Sequence, residues 1–306
     1  MTRPPRLRPG DRVGIVAPSG PVLRRYVVAG LKVLEAAGYR PRLSRHLYDR
    51  RGHLAGTDAR RADDLNRMLR DPDIRCVLMA RGGFGAMRIA GDVDWAAMRR
   101  DPKIFAGYSD ATFLHLAFQA RSGVRTLHGP NLHGLGFGRQ GEIRRWLSWL
   151  SNPQPPDGVR ELSAPLRIGR GAEVQGRVLG GNLALVHHAA CTPYLPSLRG
   201  AILFFEEVNE PPYKIDAMLT HIELAGALRG VRGMALGSFI NCVPKPRHRE
   251  LPLRQVLRDH IGLLGVPALG GMKAGHGRRN WPLPLGARAT LDVRRGRLVF
   301  EEGLVA

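Results

Sequence analysis

The sequence predicts an α/β protein: an N-terminal, mostly parallel, Rossmann-like sheet covered by helices, then a smaller, β-rich α+β domain. Two observations carry this. In the first half, short apolar runs alternate with segments whose apolar residues recur at helical spacing, the rhythm of βαβ units. After about Trp149 that rhythm yields to a stretch rich in Pro and Gly, and strand-like runs dominate beyond it.

The elements follow in order. DRVGIVAPSG is an apolar strand closed by a Pro-Ser-Gly turn. VLRRYVVAGLKVLEAAG is a helix that stops at Gly38, a natural left-handed C′ residue. DARRADDLNRMLRD is a second amphipathic helix, with Asp58 as its expected N-cap. IRCVLMA is a strand running into the glycine-rich turn RGGFGAMRIA. IFAGYS is another strand, and ATFLHLAFQARSG a helix closing at Gly123. In open parallel sheets, sites sit at the carboxyl ends of strands, and APSG, RGGFG and GYSD all fall there. SNPQPPDGVRELSAPLRIGRG reads as a linker, which divides the chain into 1–150, a linker over 151–175, and 176–306. Beyond it, GRVLGGNLALVHHAA reads as strand, turn and helix, and AILFFEEV as a buried strand entering an acidic turn. DAMLTHIELAGAL is a helix expected to end near Gly230, while GMALGSFI, ARATLDV and RLVFEEG are strand-like.

Bulk properties narrow the function. A hydrophobic fraction of 43% and a charged fraction of 24% are those of a soluble globular chain. No apolar run reaches the ~18 residues of a membrane span, and the basic N-terminal stretch has no apolar segment of a secretory signal. Cys76, Cys191 and Cys242 are widely spaced, which fits reduced thiols in a cytoplasm. No metal-ligand spacing is present, so neither a metal nor another cofactor is expected. The net charge of +21 raises the question of nucleic acid. The arginines are scattered, however, with no basic run interleaved with aromatics, so a nucleic-acid-binding module is the weaker alternative and an arginine-biased composition the simpler account. A positive field also steers small anionic substrates.

Four short stretches are able to carry chemistry. Ser109 lies on a GxSxA turn between strand and helix, where a hydroxyl is presented beside free backbone N–H groups. RGGFG, Arg81 to Gly85, permits close backbone approach to a ligand. Glu206 and Glu207 end the apolar run AILFF, and one of them must point inward if the strand period continues. His276 lies between two glycines in a loop, free to reach a cleft, whereas His115, His187, His188 and His221 sit in helical stretches. Each signal alone is equally a plain turn, a solvated acidic corner or a loop histidine. Together they supply a serine, an acid and a histidine in that chain order, one of the workable orders for a nucleophilic triad.

The blocks GDRVGIVAPSG, HLAGTDARRADDLNRMLRDPDIRCVLMARGGFGAMRI, FAGYSDATFLHLA, LHGPNL, GRVLGGNLALV, ILFFEEVNEPPYKIDAML, LGSF and GHGRRNWPLPLGARA resemble, in order and spacing, the LD-carboxypeptidases, a serine peptidase family. The resemblance covers nearly the whole chain. It implies a Ser109–Glu206–His276 triad, with the backbone amides of Asp110 and Gly83 as oxyanion donors. It also implies hydrolysis of an L,D peptide bond, with release of D-alanine from a cytoplasmic murein tetrapeptide, no metal, and a homodimer. Arg81, Lys273 and Arg278 are then candidates for binding the substrate's carboxylates. The nearest alternative is a relative resembling the microcin C immunity peptidases, which cleave peptidyl or aminoacyl nucleotide conjugates. Two departures from the family pattern are visible: Ala217 in PYKIDAML stands where a basic residue is common, and Glu207 where Asp is frequent.

Overall fold

Two sheets, whose strands share one apolar core cluster, organise the computed structural model, which describes residues 1–156, 161–168, 173–244 and 249–306. The first sheet has as its body β1 (Arg12–Val16), β2 (Arg40–Leu43), β3 (Ile74–Met79), β4 (Ile104–Gly107) and β5 (Thr126–His128), all five parallel to one another. Helices α1 (Arg24–Ala36), α2 (Asp58–Arg70), α3 (Trp95–Arg100) and α4 (Ala111–Arg121) fill its crossovers. After β5 come α5 (Leu132–Gly136) and α6 (Gln140–Ser151).

The second sheet contains β6 (Glu161–Ser163), β7 (Leu166–Arg167), β8 (Glu173–Asn182), β9 (Ala201–Val208), β10 (Gly233–Ile240), β11 (Ala268–Gly270), β13 (Arg288–Asp292) and β14 (Arg297–Phe300). Its four central strands, β8 to β11, are parallel, with α7 (Leu183–Ala189), α8 (Pro212–Leu224) and α9 (Leu253–Leu264) in the crossovers. The remaining strand, β12 (Leu283–Leu285), leaves this half of the chain and pairs antiparallel with β5, as an edge of the first sheet.

Several local expectations are corrected. The N-cap of α2 is Thr57, whose side chain accepts from the Arg60 N–H; Asp58 sits one residue inside and pairs with Arg61 and Arg88. Helix α8 runs earlier than expected. Pro212 suits its first turn, and Ala225 with the left-handed Gly226 stops it before the apolar residues that follow. The stretch expected as a linker, 151–175, carries the edge strands β6 and β7 and the start of β8; its residues 157–160 and 169–172 lie outside the described residues.

One feature of the core positions the site. Helix α4 is buried without a break from Ala111 to Gln119. A helix apolar all round must be covered on every side, and α4 packs against β5 and against α7 and β8 of the second sheet. Thr112 Oγ1 on its first turn accepts the Asn182 N–H at the end of β8, at 3.0 Å. The start of α4 is therefore locked to the second sheet.

Candidate active site

Ser109 stands between β4 and α4 with φ of 66°, the left-handed region that a residue with a side chain rarely adopts. Such strain costs roughly 1–3 kcal/mol and persists only where the surroundings enforce it. Here the Thr112 N–H closes the turn on the Ser109 carbonyl at 2.8 Å. Asp110 is the N-cap of α4, so its N–H lacks an intrahelical acceptor and lies at the positive end of the helix. The glycine turn after β3 comes right up to the hydroxyl: a Cβ on Gly82 would meet Ser109 Cβ at 2.9 Å and Oγ at 3.0 Å. Gly83, with φ of 120°, carries the next amide along.

Glu206 and Glu207 end β9, and the structure buries both, at 0% and 2% exposure. They face opposite sides of a central strand. Glu206 Oε2 accepts from His276 Nδ1 at 2.7 Å and from the His276 N–H at 3.1 Å. Burial opposes the imidazolium, but the hydrogen bond and charge of Glu206, helped by the charge of Glu207, outweigh it and hold the His276 pKa above its usual value. Glu207 turns away from the histidine. It accepts from Asn182 Nδ2 at 2.9 Å and from the Ala184 N–H at 2.8 Å, tying down the start of α7. Desolvation raises its pKa.

The loop 271–282, which carries His276, has its two ends fixed in different sheets, β11 in the second and β12 in the first. Tyr108, next to Ser109, lays its ring 5.0 Å from that of His276, centroid to centroid. The carboxylate–imidazole contact is thus closed. Ser109 follows Tyr108 in the chain, and its hydroxyl makes no hydrogen bond among the described residues.

Of the three candidate anion binders, Lys273 and Arg278 line a cavity of ≈ 670 Å³ whose lining includes Gly277, the residue after His276, but not Ser109, Glu206 or His276. Arg81 is not among its lining residues; its guanidinium donates to the Pro21 carbonyl at 3.0 Å. Sequence reasoning missed Asn280, whose Oδ1 accepts the Gly275 N–H at 2.9 Å and shapes the histidine loop. It also missed Ser19 of the APSG turn and the buried Arg61; the local sequence of these two carries no signal, because Ser19 pairs with Asp110 and Arg61 with the Pro18 and Gly85 carbonyls, in other loops.

Sequence profiles of the LD-carboxypeptidase N-terminal and C-terminal domains match residues 13–129 and 175–291. A probable murein peptide carboxypeptidase of Bacillus subtilis is 37% identical over 303 residues, 99% of this chain and 95% of its own. The chain belongs to the LD-carboxypeptidase family. This LD-carboxypeptidase family member is also 31% identical to the murein tetrapeptide carboxypeptidase of Pseudomonas aeruginosa over 94% of each chain. Its structure is similar to that of the muramoyltetrapeptide carboxypeptidase from Oxalobacter formigenes, with a TM-score of 0.84, 25% identity and 95% and 98% of the two chains covered. The microcin C7 self immunity protein shares the fold, with a TM-score of 0.87 over 100% of both chains at 22% identity.

Proposed function

We propose that this protein is a serine-type LD-carboxypeptidase that releases the terminal D-alanine of the murein tetrapeptide, with Ser109 as nucleophile, His276 as base and Glu206 as the acid that orients it. The observation that supports the reading is the 2.7 Å Glu206–His276 hydrogen bond, with the ring of Tyr108, the residue before the strained Ser109, 5.0 Å from that imidazole. Ser109 Oγ attacks the carbonyl of the L-centre, and His276 takes its proton. The tetrahedral oxyanion lies against the Asp110 and Gly83 amides, each worth about 3–4 kcal/mol. As the C–N bond breaks, His276 returns the proton to the D-alanine amine. Water, activated by the same imidazole, then hydrolyses the acyl-enzyme. Glu206, bonded to Nδ1, leaves Nε2 free for the hydroxyl and stabilises the imidazolium.

The cavity at Gly277 suits the anionic remainder of the substrate: among the described residues seven Lys or Arg side chains line it and no Asp or Glu does. The proposed setting is the cytoplasm and the proposed assembly a homodimer. Ser109→Ala is expected to abolish D-alanine release from the tetrapeptide while circular dichroism stays unchanged; turnover at the wild-type rate would refute the reading. The same assay with an aminoacyl nucleotide conjugate separates it from a microcin-type activity, which the shared fold alone leaves open.

A further inference from the structure

We infer that the Asp110 side chain, as distinct from its backbone amide, is a positioning residue that sets the geometry of the oxyanion donors by tying together three loops at the carboxyl ends of β1, β3 and β4. The inference rests on the serine-hydrolase reading above. The carboxyl group of Asp110 is 1% exposed, so it is screened from substrate. A buried carboxylate requires donors, and both of its donors come from elsewhere in the chain. Oδ2 accepts from Ser19 Oγ at 2.5 Å, on the turn after β1, and from the Ala86 N–H at 2.8 Å, at the end of the glycine turn after β3.

That turn needs a tether. Gly83 and Gly85 adopt φ of 120° and 131°, regions where glycine moves freely, so nothing local fixes where the Gly83 amide points. Three contacts fix it from outside: the Asp110–Ala86 bond, the Gly20 N–H donating to the Gly82 carbonyl at 3.2 Å, and the buried Arg61 guanidinium donating to the Gly85 carbonyl at 2.9 Å. Arg61 also donates to the Pro18 carbonyl, beside Ser19. One residue thus contributes a main-chain donor to the hole and, through its side chain, holds the loop that carries the other donor. A group displaced by about 1 Å loses ~100-fold in rate, so a small release of the turn is measurable.

The test uses Asp110→Asn, which keeps the backbone amide and the side-chain volume, and Ser19→Ala, which removes one tether. Both are compared with wild type for kcat and KM on the tetrapeptide. They are also compared for inhibition by a peptide aldehyde, which forms a tetrahedral adduct on Ser109, and for binding of the tripeptide product. The expected result is a ~10–100-fold fall in kcat and an equal loss of aldehyde affinity in Asp110→Asn, with KM and product affinity within about threefold of wild type. Ser19→Ala should move the same way by less. Wild-type kcat and aldehyde affinity in both variants overturns the inference, as does a loss shared equally by the aldehyde and the product. If Asp110→Asn does not fold, Ser19→Ala decides by the same criteria. Ser109→Ala runs alongside: full activity there overturns the hydrolase reading instead.

Discussion

Gly275 lets Glu206 reach His276. Its φ is 102°, and a Cβ there would fall onto the Glu206 carboxylate, so the loop crosses directly over the acid and delivers the next residue's ring to it. This contact fixes how activity responds to pH. A base acts only when deprotonated, and Glu206 raises the His276 pKa, so with His276 as the proposed base the acid limb of kcat/KM is expected above the usual histidine value. Glu206→Gln removes the charge that raises it, while burial, which lowers it, remains. The acid limb is therefore expected to move to lower pH as the plateau falls by roughly 10²–10⁴-fold from the loss of the orienting acid. A pH–rate profile checks this, and a limb that stays in place would detach Glu206 from the histidine. The patterns that single out Ser109, Glu206 and His276 are local ones, a strand-to-helix turn, an acid pair ending an apolar run and a histidine between glycines, and of the three the structure joins Glu206 to His276. The side chains of Asp110, Ser19 and Arg61 carry no such local pattern. Their roles exist only between loops that are 24 to 91 residues apart in sequence.

At the level of elements, the acid pair had a consequence that the alternation of a strand did not disclose. Strand period two sends one of two neighbours inward, but β9 lies between β8 and β10 with both faces covered, so both carboxylates are buried. Glu207 serves the start of α7. Replacing it with Ala leaves Asn182 Nδ2 and the Ala184 N–H without their acceptor, at a cost of about 1–3 kcal/mol for each group kept from water. Thermal denaturation of Glu207→Ala should show a fall in Tm of several degrees; an unchanged Tm would mean that solvent reaches these donors. The strand–helix rhythm of the first half was readable because its crossovers are local and apolar residues recur at helical spacing between its strands. α9 was equally readable in principle, with Val256, Leu257, His260 and Ile261 on its buried face between Pro252 and the left-handed Gly265. β12 was not. Its Leu-Pro-Leu gains meaning only from β5, more than 150 residues earlier in the chain.

At the level of the whole molecule the two halves are one packed body around the site. A single apolar cluster joins Leu127 and Trp146 to Phe204, Leu269, Leu285 and Phe300. Behind the serine turn this core holds two imidazoles. His115 Nε2 reaches the Gly107 carbonyl at 2.9 Å, while His128, 5.1 Å from the ring of Phe204, has no partner on either nitrogen among the described residues. Burial pushes the His115 pKa down to about 4 and that of His128 well below its usual 6.5. Both are neutral in the folded chain, whereas the unfolded chain protonates them near 6.5. Below that pH the unfolded state binds more protons, so stability falls as pH drops from 6.5 toward 4, by up to about 1.4 kcal/mol per pH unit for each group. His276 has the opposite sign, since its folded pKa is raised, and its contribution is lost as pH rises above 6.5, outside this window. The buried acids Asp110 and Glu207, with raised pKa values, act against the trend at its acid end. The upper part of the window therefore isolates the histidines. Urea denaturation at steps from pH 6.5 to 5 should show wild-type stability declining and His128→Phe, which places an apolar ring among Tyr108, His115 and Phe204, declining less steeply. Parallel slopes for the two proteins would mean that His128 already carries its proton when the chain is folded.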